Sequence, residues 1–350
     1  MIRRLLCFTF LLVLTTASFA AETRTITDMA GRTVTIPTTI NRIYAVGHCL
    51  PMVSAVAPEK VLNAFRLSAM AKRFIAADSY QGKVVPQGGH RFSDEEIVNL
   101  RPEIVIMEAL PYNLDQAERL QNKIGAPVVL LNQDMMHYPQ AFAFLGDLLG
   151  QQEQAQRMTA FVNRYLYPLQ KQAQQIPLEQ RVRVYYAENP DGLSTNPAGS
   201  IHTQLLDFVG GVNVAEVINM PGEGMSQVSM EQLILWQPDL ILVWTPSAGT
   251  LLTYNAIVHN PLWNRLRAVT GGKVYQIPWL PYSWFDRPPG SNRIIGAIWL
   301  ADLLYPERFN LDTVAIVQEY FRIFYRYELC AADARLLLSP TPAPQLLEGP

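Results

Sequence analysis

Cysteine is scarce in this chain: 350 residues carry three, at positions 7, 49 and 330. Cys7 falls in an N-terminal leader, and Cys49 and Cys330 lie in opposite halves. An oxidising compartment would let these two pair, but their placement favours two separate thiols, with a Cys49–Cys330 disulfide as the lesser alternative. Five histidines, at 48, 90, 137, 202 and 259, show no close pairing and no His-Glu-x-x-His, which argues against a bare-metal cage. One or two of them could still complete the coordination of a metal that arrives already chelated. Charge of one sign is also missing. The formal net charge is −2, with no basic run, so nucleic acid and anionic membrane are poor partners. The Gly-Gly pairs at 88–89, 210–211 and 271–272 lack a phosphate-binding pattern. There is no Gly-x-Ser-x-Gly elbow and no Ser/His/Asp set at a recognisable spacing, so no catalytic chemistry and no cofactor is indicated.

Long apolar runs are absent beyond the start of the chain. Arg3 and Arg4 precede the apolar stretch Leu5–Leu14, and Ala17-Ser18-Phe19-Ala20 closes it with small residues. Residues 1–20 read as a cleaved secretory leader, too short to span a bilayer. Removing its two arginines takes the net charge from −2 to −4. Cys7 sits too early in the leader to become a lipid-anchored first residue. The mature chain is expected to be free in the periplasm, without direct membrane insertion.

What is present is a phrase written twice. Ser93-Asp94-Glu95-Glu96-Ile97-Val98-Asn99-Leu100-Arg101-Pro102-Glu103-Ile104-Val105-Ile106 aligns without a gap to Ser229-Met230-Glu231-Gln232-Leu233-Ile234-Leu235-Trp236-Gln237-Pro238-Asp239-Leu240-Ile241-Leu242. Each copy opens with a Ser N-cap followed three residues later by Glu or Gln, a capping box that starts a helix. A Pro then ends the helix, an acidic residue follows, and an apolar run forms a buried strand. Two equivalent αβ units so far apart predict two similar halves with a cleft between them.

The remaining pattern fits that division. Short strands over Thr25–Thr27 and Arg32–Ile36 flank the turn Asp28-Met29-Ala30-Gly31. Arg42–Val46 is a strand ending at Gly47-His48-Cys49, with a helix beginning near Leu50, and Leu114–Ile124 is a helix before the strand Pro127–Leu131. This βαβ alternation implies mainly parallel sheets covered by helices. Over 151–176, apolar residues at helical spacing predict one long amphipathic helix joining the halves, which Pro168 should kink or split. The second half reads as a strand over Arg181–Tyr186, helices over Ile201–Phe208 and Pro261–Val269, a strand over Lys273–Ile277, and closing helices over Ile294–Leu304 and Thr313–Tyr327. The expected units are a first α/β lobe at 21–150, the joining helix at 151–176, a second α/β lobe at 177–338, and a Pro-rich, disordered tail at 339–350.

Candidate functional residues gather at loop positions. Pro278-Trp279-Leu280-Pro281-Tyr282-Ser283-Trp284-Phe285-Asp286-Arg287-Pro288-Pro289-Gly290 carries four large rings and four prolines. Some of these rings must pack downward. Trp284 and Arg287 are read as lining a pocket, the guanidinium offering a planar fork to carboxylate, catecholate or hydroxamate oxygens. Tyr44 and His48 end the first core strand, Tyr112 and Trp244 follow the strands of the two repeats, and His90 and Arg91 precede the first repeat's helix. In open α/β sheets such positions face the crevice beyond the carboxyl ends of the strands. Glu95 and Glu231 hold the same place in the two repeats. A carboxylate in a first turn complements the helix dipole, but a matched pair could also grip arginines on two copies of a partner.

Taken together, the chain resembles the periplasmic solute-binding proteins that serve ABC importers for ferric siderophores, vitamin B12, haem and related metal chelates. The likeness rests on Asp28-x-x-Gly31-Arg32-x-Val34-x-Ile36-Pro37 with Arg42-Ile43, both Glu-to-Pro-acidic repeats, the joining helix, and Trp284-Phe285 ahead of Arg293-Ile294-Ile295. It covers nearly all of the mature chain. The resemblance implies two Rossmann-like α/β lobes joined by one rigid helix with a ligand cleft between them. It also implies docking of Glu95 and Glu231 to an inner-membrane permease dimer. Ligand contacts would come from Tyr44, His48, His90, Arg91, Tyr112, Trp244, Trp284 and Arg287. The implied protein is a monomeric carrier, not an enzyme, and its cargo is an iron–siderophore complex. A nickel or cobalt chelate, haem or a corrinoid are alternatives of the same fold. A secreted metal-dependent enzyme with an interlobe active site is the alternative of another class. Pro168 and the Pro-rich tail depart from the family pattern.

Overall fold

A computed structural model describes residues 22–86, 92–111, 113–218, 225–244, 251–339 and 346. The leader at 1–20, His90, Arg91, Tyr112 and most of the tail lie outside the described residues. The mature chain opens with a hairpin of β1 (Thr23–Thr27) and β2 (Thr33–Pro37). Asp28 explains the turn: its Oδ1 accepts from the backbone N–H groups of Ala30 at 3.0 Å and Arg32 at 2.9 Å, and Gly31 takes a positive φ of 82°. The same Asp28 and Arg32 tie the hairpin to a strand edge, since Asp28 Oδ2 accepts from Leu130 N and Arg32 Nη2 donates to Val128 O. That edge would otherwise expose unpaired backbone groups.

The first lobe is a three-stranded parallel sheet in the order β3 (Ile43–Ala45), β4 (Ile104–Glu108), β5 (Val128–Leu131), with Ile43 opposite Ile104 and Val105 opposite Val128. Its helices are α1 (Cys49–Val56), α2 (Asp94–Leu100), α3 (Asn113–Ile124) and α4 (Tyr138–Leu149). The sequence pattern singled out no helix over α4, whose N-terminal Pro139 and terminal Gly150 bound it. Beyond it run α5 (Gln152–Phe161), a π-helical turn at Val162–Leu166, and α6 (Tyr167–Ala173), end to end. The predicted break at Pro168 is thus taken up by a wide turn just before it, which accommodates the missing N–H. The face expected to be apolar is buried at Ala155, Met158, Phe161, Val162, Leu166, Leu169 and Ala173.

The second lobe carries β6 (Arg183–Ala187), β7 (Ser194–Thr195), α7 (Gln204–Phe208), β8 (Val212–Asn213), β9 (Ser226–Gln227), α8 (Met230–Trp236), β10 (Leu240–Val243), α9 (Leu252–Val258), α10 (Arg267–Thr270) and β11 (Val274–Gln276). Its main sheet is parallel in the order β11-β10-β6-β8, and β7 pairs with β9 separately. The helix expected over Pro261–Val269 is a 3-10 turn at Trp263–Arg265 followed by α10, separated at Leu266, which is extended. Then come α11 (Asn292–Leu304), α12 (Pro306–Phe309), α13 (Thr313–Phe324) and α14 (Ala331–Leu337). α13 returns to pack on α1 and α5, and Gln154 Nε2 donates to Ile323 O at 2.7 Å. Leu346 in the tail, where no core pattern is expected, is buried in the same core.

The two repeats superpose in chemistry as well as order. Ser93 Oγ accepts from Glu96 N while Glu96 Oε2 accepts from Ser93 N, and Ser229 and Gln232 repeat both bonds. Each helix ends in a left-handed residue, Arg101 or Gln237. The acidic residue after the Pro then receives the neighbouring strand: Glu103 Oε2 accepts from Arg42 N, and Asp239 Oδ2 accepts from Arg183 N. The duplicated carboxylate therefore sets the register of β4 on β3 and of β10 on β6.

Candidate functional site

A cavity of about 550 Å³ lies between the lobes. Glu108 to Leu110 at the end of β4 and Asn132 to Asp134 after β5 form one wall; Gly199, Ser200, Ile201, Gln204, Asp207 and Arg293 form the other. It thus opens at the carboxyl ends of the first sheet, where a crevice between α/β units is expected. A second hollow of about 470 Å³, lined by Arg42, Lys60 and Lys83 among others, sits at the opposite ends of the first lobe's strands. Its cations already donate to backbone carbonyls: Arg42 to Leu100 and Arg101, Lys60 to Leu149, and Lys83 to Pro58 and Val61.

Arg293 is the central group of the interlobe cavity. It stands in the first turn of α11, an otherwise apolar helix, and is only 2% exposed. Its Nη2 donates to Gln133 O of the first lobe at 2.8 Å, and its Nη1 donates to Gln204 Oε1 of the second at 3.1 Å. Among the described residues no carboxylate pairs with it, and its Nε is buried without a partner. Gln133 Oε1 and Ser291 Oγ are likewise buried and unpartnered. By contrast, two of the three carboxylates on the cavity walls are engaged elsewhere, while burial raises the pKa of the third, Asp207. Glu108 Oε2 lies 3.3 Å from His48 Nδ1, and Asp134 Oδ1 caps Met136 N. A buried guanidinium left uncompensated is costly, and such a group marks a place where a negative guest repays desolvation.

Among the described residues, two of the rings expected as walls, Trp284 and Tyr44, do not face the cavity. Trp284 is fully buried; its Nε1 donates to Leu280 O and its ring packs on Phe321. A backbone approach to Gly296, where a Cβ would sit 1.7 Å from Trp284 O, locks this loop onto α11. Tyr44 is also buried, edge-on to Phe92, because the middle residue of β3 points into the first lobe's core. Both readings are corrected: Trp284 is buried under its loop and Tyr44 in the first lobe's core, so neither ring serves as a wall. His48 stays partly exposed at the head of α1. Cys49 beside it is buried, which raises its thiol pKa, with Glu108 adding to the effect.

Arg287 does not present an open fork. Its Nη2 bonds Glu188 Oε1 at 2.5 Å, its Nη1 contacts Asp286 and lies 3.0 Å from His202 Nδ1, and its guanidinium stacks 4.3 Å from the centre of the Trp244 ring. Asp286 is held further by Tyr186 OH, and Glu188 by Asn196. Burial pushes the Glu188 carboxyl up to about 8 against the opposing pull of Arg287. For Arg287, burial is overcome by Tyr186, Asp286 and Glu188, so its pKa is raised. Arg287, read from the sequence as a partner of Trp284, stacks instead on Trp244, and Glu188, Asp286, His202 and Arg293 were missed. The legible signal was the polar triplet Ser291-Asn292-Arg293 opening an apolar helix.

Glu95 and Glu231 are both exposed in the first turns of α2 and α8. Each carboxyl is lowered first by a backbone N–H at its own position; Lys123 adds to this for Glu95 and Ser229 for Glu231.

Residues 68–279 match the family model described as periplasmic binding protein. The chain belongs to that family. It is 25% identical over 346 residues to the molybdate-binding protein MolA of Haemophilus influenzae, covering 90% of this chain and 94% of the relative. An ABC transporter solute-binding protein from Sulfurospirillum deleyianum superposes with a TM-score of 0.80 at 28% identity, covering 89% of this chain and 98% of that one. An ABC-type Fe3+-hydroxamate transport protein from Saccharomonospora viridis shares the fold, with a TM-score of 0.54 at 15% identity over 81% of this chain and 99% of that one. The protein is the periplasmic binding component of an ABC transporter, built from two α/β lobes. No helix among the described residues is long and apolar enough to cross a membrane.

Proposed function

We propose that this binding protein captures a small metal-bearing anion in the interlobe cavity and delivers it to a permease through Glu95 and Glu231. The observation that carries the reading is Arg293: a buried guanidinium, bonded to both lobes, with no carboxylate among the described residues and an unpartnered Nε. Charge-assisted hydrogen bonds from a planar guanidinium suit a tetrahedral metal oxyanion or the anionic face of a chelate. The likeness to a molybdate-binding relative favours the oxyanion. The iron–siderophore reading keeps one supporting observation, a cavity of about 550 Å³ that exceeds the needs of a bare oxyanion. Calorimetric titration with molybdate, tungstate, sulfate and a ferric hydroxamate decides between them. Saturable binding of molybdate or tungstate supports the oxyanion, and binding of the ferric chelate alone replaces it with the siderophore. Binding of none of these removes the anion reading.

A further inference from the structure

Beyond the cavity, one buried charge cluster is left without a role by simple capture. His202 belongs to the loop that supplies Ser200, Ile201 and Gln204 to the cavity wall. Its Nδ1 lies 3.0 Å from Asp286 Oδ2 and 3.0 Å from Arg287 Nη1. One ring nitrogen cannot serve both. Bare, Nδ1 accepts from Arg287; protonated, it donates to Asp286 and sets an N–H against the Arg287 N–H. The other titratable groups bonded into the cluster are Glu188 and Tyr186, from β6 and its end. Asp286 and Glu188 are buried, while His202 and Arg287 keep about a quarter and a fifth of their side chains exposed.

The charge balance of this cluster is uneven. With His202 neutral and both carboxylates ionised, one arginine faces two negative groups, for a net −1. One proton, on His202 or on Glu188, neutralises it. We propose that the His202–Asp286–Arg287–Glu188 cluster is a proton-linked second contact for the cargo, so that binding of an anion in the adjacent cavity draws a proton into it and turns one Arg287 N–H toward the guest. This rests on the anion reading of the cavity. The linkage is reciprocal: whatever affinity the proton adds to the anion, the anion adds to the proton. Burial holds the Glu188 carboxyl up to about 8, so the empty cluster carries its net −1 only around and above that pH, and the proton drawn in on binding is expected there.

The test is calorimetry of the full mature chain with sodium molybdate as probe, in pairs of buffers of unequal ionisation enthalpy, between about pH 7 and about pH 9.5. The expected result is uptake of up to about one proton per anion, with affinity rising by at most about tenfold per pH unit as pH falls. His202→Gln should reduce that uptake and flatten the slope, and Glu188→Gln should remove the remainder. Buffer-independent heats, or uptake unchanged in both variants, would overturn the proposal while leaving the cavity reading intact. Absence of any molybdate binding, in wild type and at every pH, would overturn both, and the two failures are therefore distinct. If His202→Gln does not fold, His202→Asn, which keeps a neutral polar group, provides the same comparison.

Discussion

At the scale of single residues, function and stability pull in opposite directions at Arg293. A buried cation without an anionic partner costs stability, and replacing it with an apolar side chain of similar length relieves that cost. Arg293→Met is expected to hold or raise the melting temperature while weakening anion binding by about 10–100-fold, the range of a lost charge-assisted hydrogen bond. Thermal melting and calorimetry on the same preparation check this. Intact binding with a lowered melting temperature would make Arg293 a lobe tie instead. Arg287 behaves in the reverse sense. Its removal leaves Glu188 and Asp286 buried beside each other without their cation, so Arg287→Ala should cost about 3–5 kcal/mol of stability by chemical denaturation. Glu188 also sets a pH dependence. Its folded carboxyl titrates at about 8, above the unfolded value of about 4.3, so the protonated form is the one the fold favours. The stability this supports is complete below the unfolded value and is lost as pH rises through the folded one. Melting temperatures should fall between about pH 5 and about pH 9, and Glu188→Gln should flatten that decline.

At the scale of elements, legibility followed the reach of the signal. Capping boxes at Ser93 and Ser229, the Pro that ends each helix, and the alternation of strand and helix are local patterns, and they located α2, β4, α8 and β10 within a residue or two. The caps are expected to be worth about 1 kcal/mol each. Ser229→Ala, which also frees Gln232 from its reciprocal bond, should lower stability by that much without touching the cavity. The aromatic loop at 278–290 was illegible for the opposite reason. Whether Trp284 faces a guest or the core is settled by α11 and α13 passing beneath it, far away in sequence. Likewise Arg293 reads as one more polar residue at a helix start until Gln133 and Gln204 are brought to either side of it. Pro168 was legible as a break but not as a π-helical turn, because the wide turn is imposed by keeping Val162 and Leu166 buried on a continuous face.

At the scale of the whole molecule, the proposed cargo site and the proposed docking carboxylates are separated. Arg293 joins both lobes at the cavity and Tyr138 OH adds a tie to Gly290 O near the head of α11, while a second group of ties, Arg326 to Val56 O and Glu59 and Ala76 N to Tyr325 O, lies beyond α13. Glu95 and Glu231 stand on the first turns of helices whose far ends fix the two sheets, through Glu103 and Asp239. Under the docking reading, any change of lobe angle at the cavity would alter the spacing of the two exposed carboxylates. The two are not identical: Glu95 shares Lys123 with Asp94, whereas Glu231 has no lysine partner among the described residues and is followed one turn later by the exposed Leu235. Glu231→Ala should therefore impair cellular uptake more than Glu95→Ala, and the double variant should abolish it, while all three retain wild-type affinity for cargo in solution. Radiolabelled uptake in cells lacking the native protein, set beside calorimetry of each purified variant, tests this. Equal uptake in the double variant would show that the matched carboxylates serve only their helices, and a parallel loss of binding would place them in the cargo site instead.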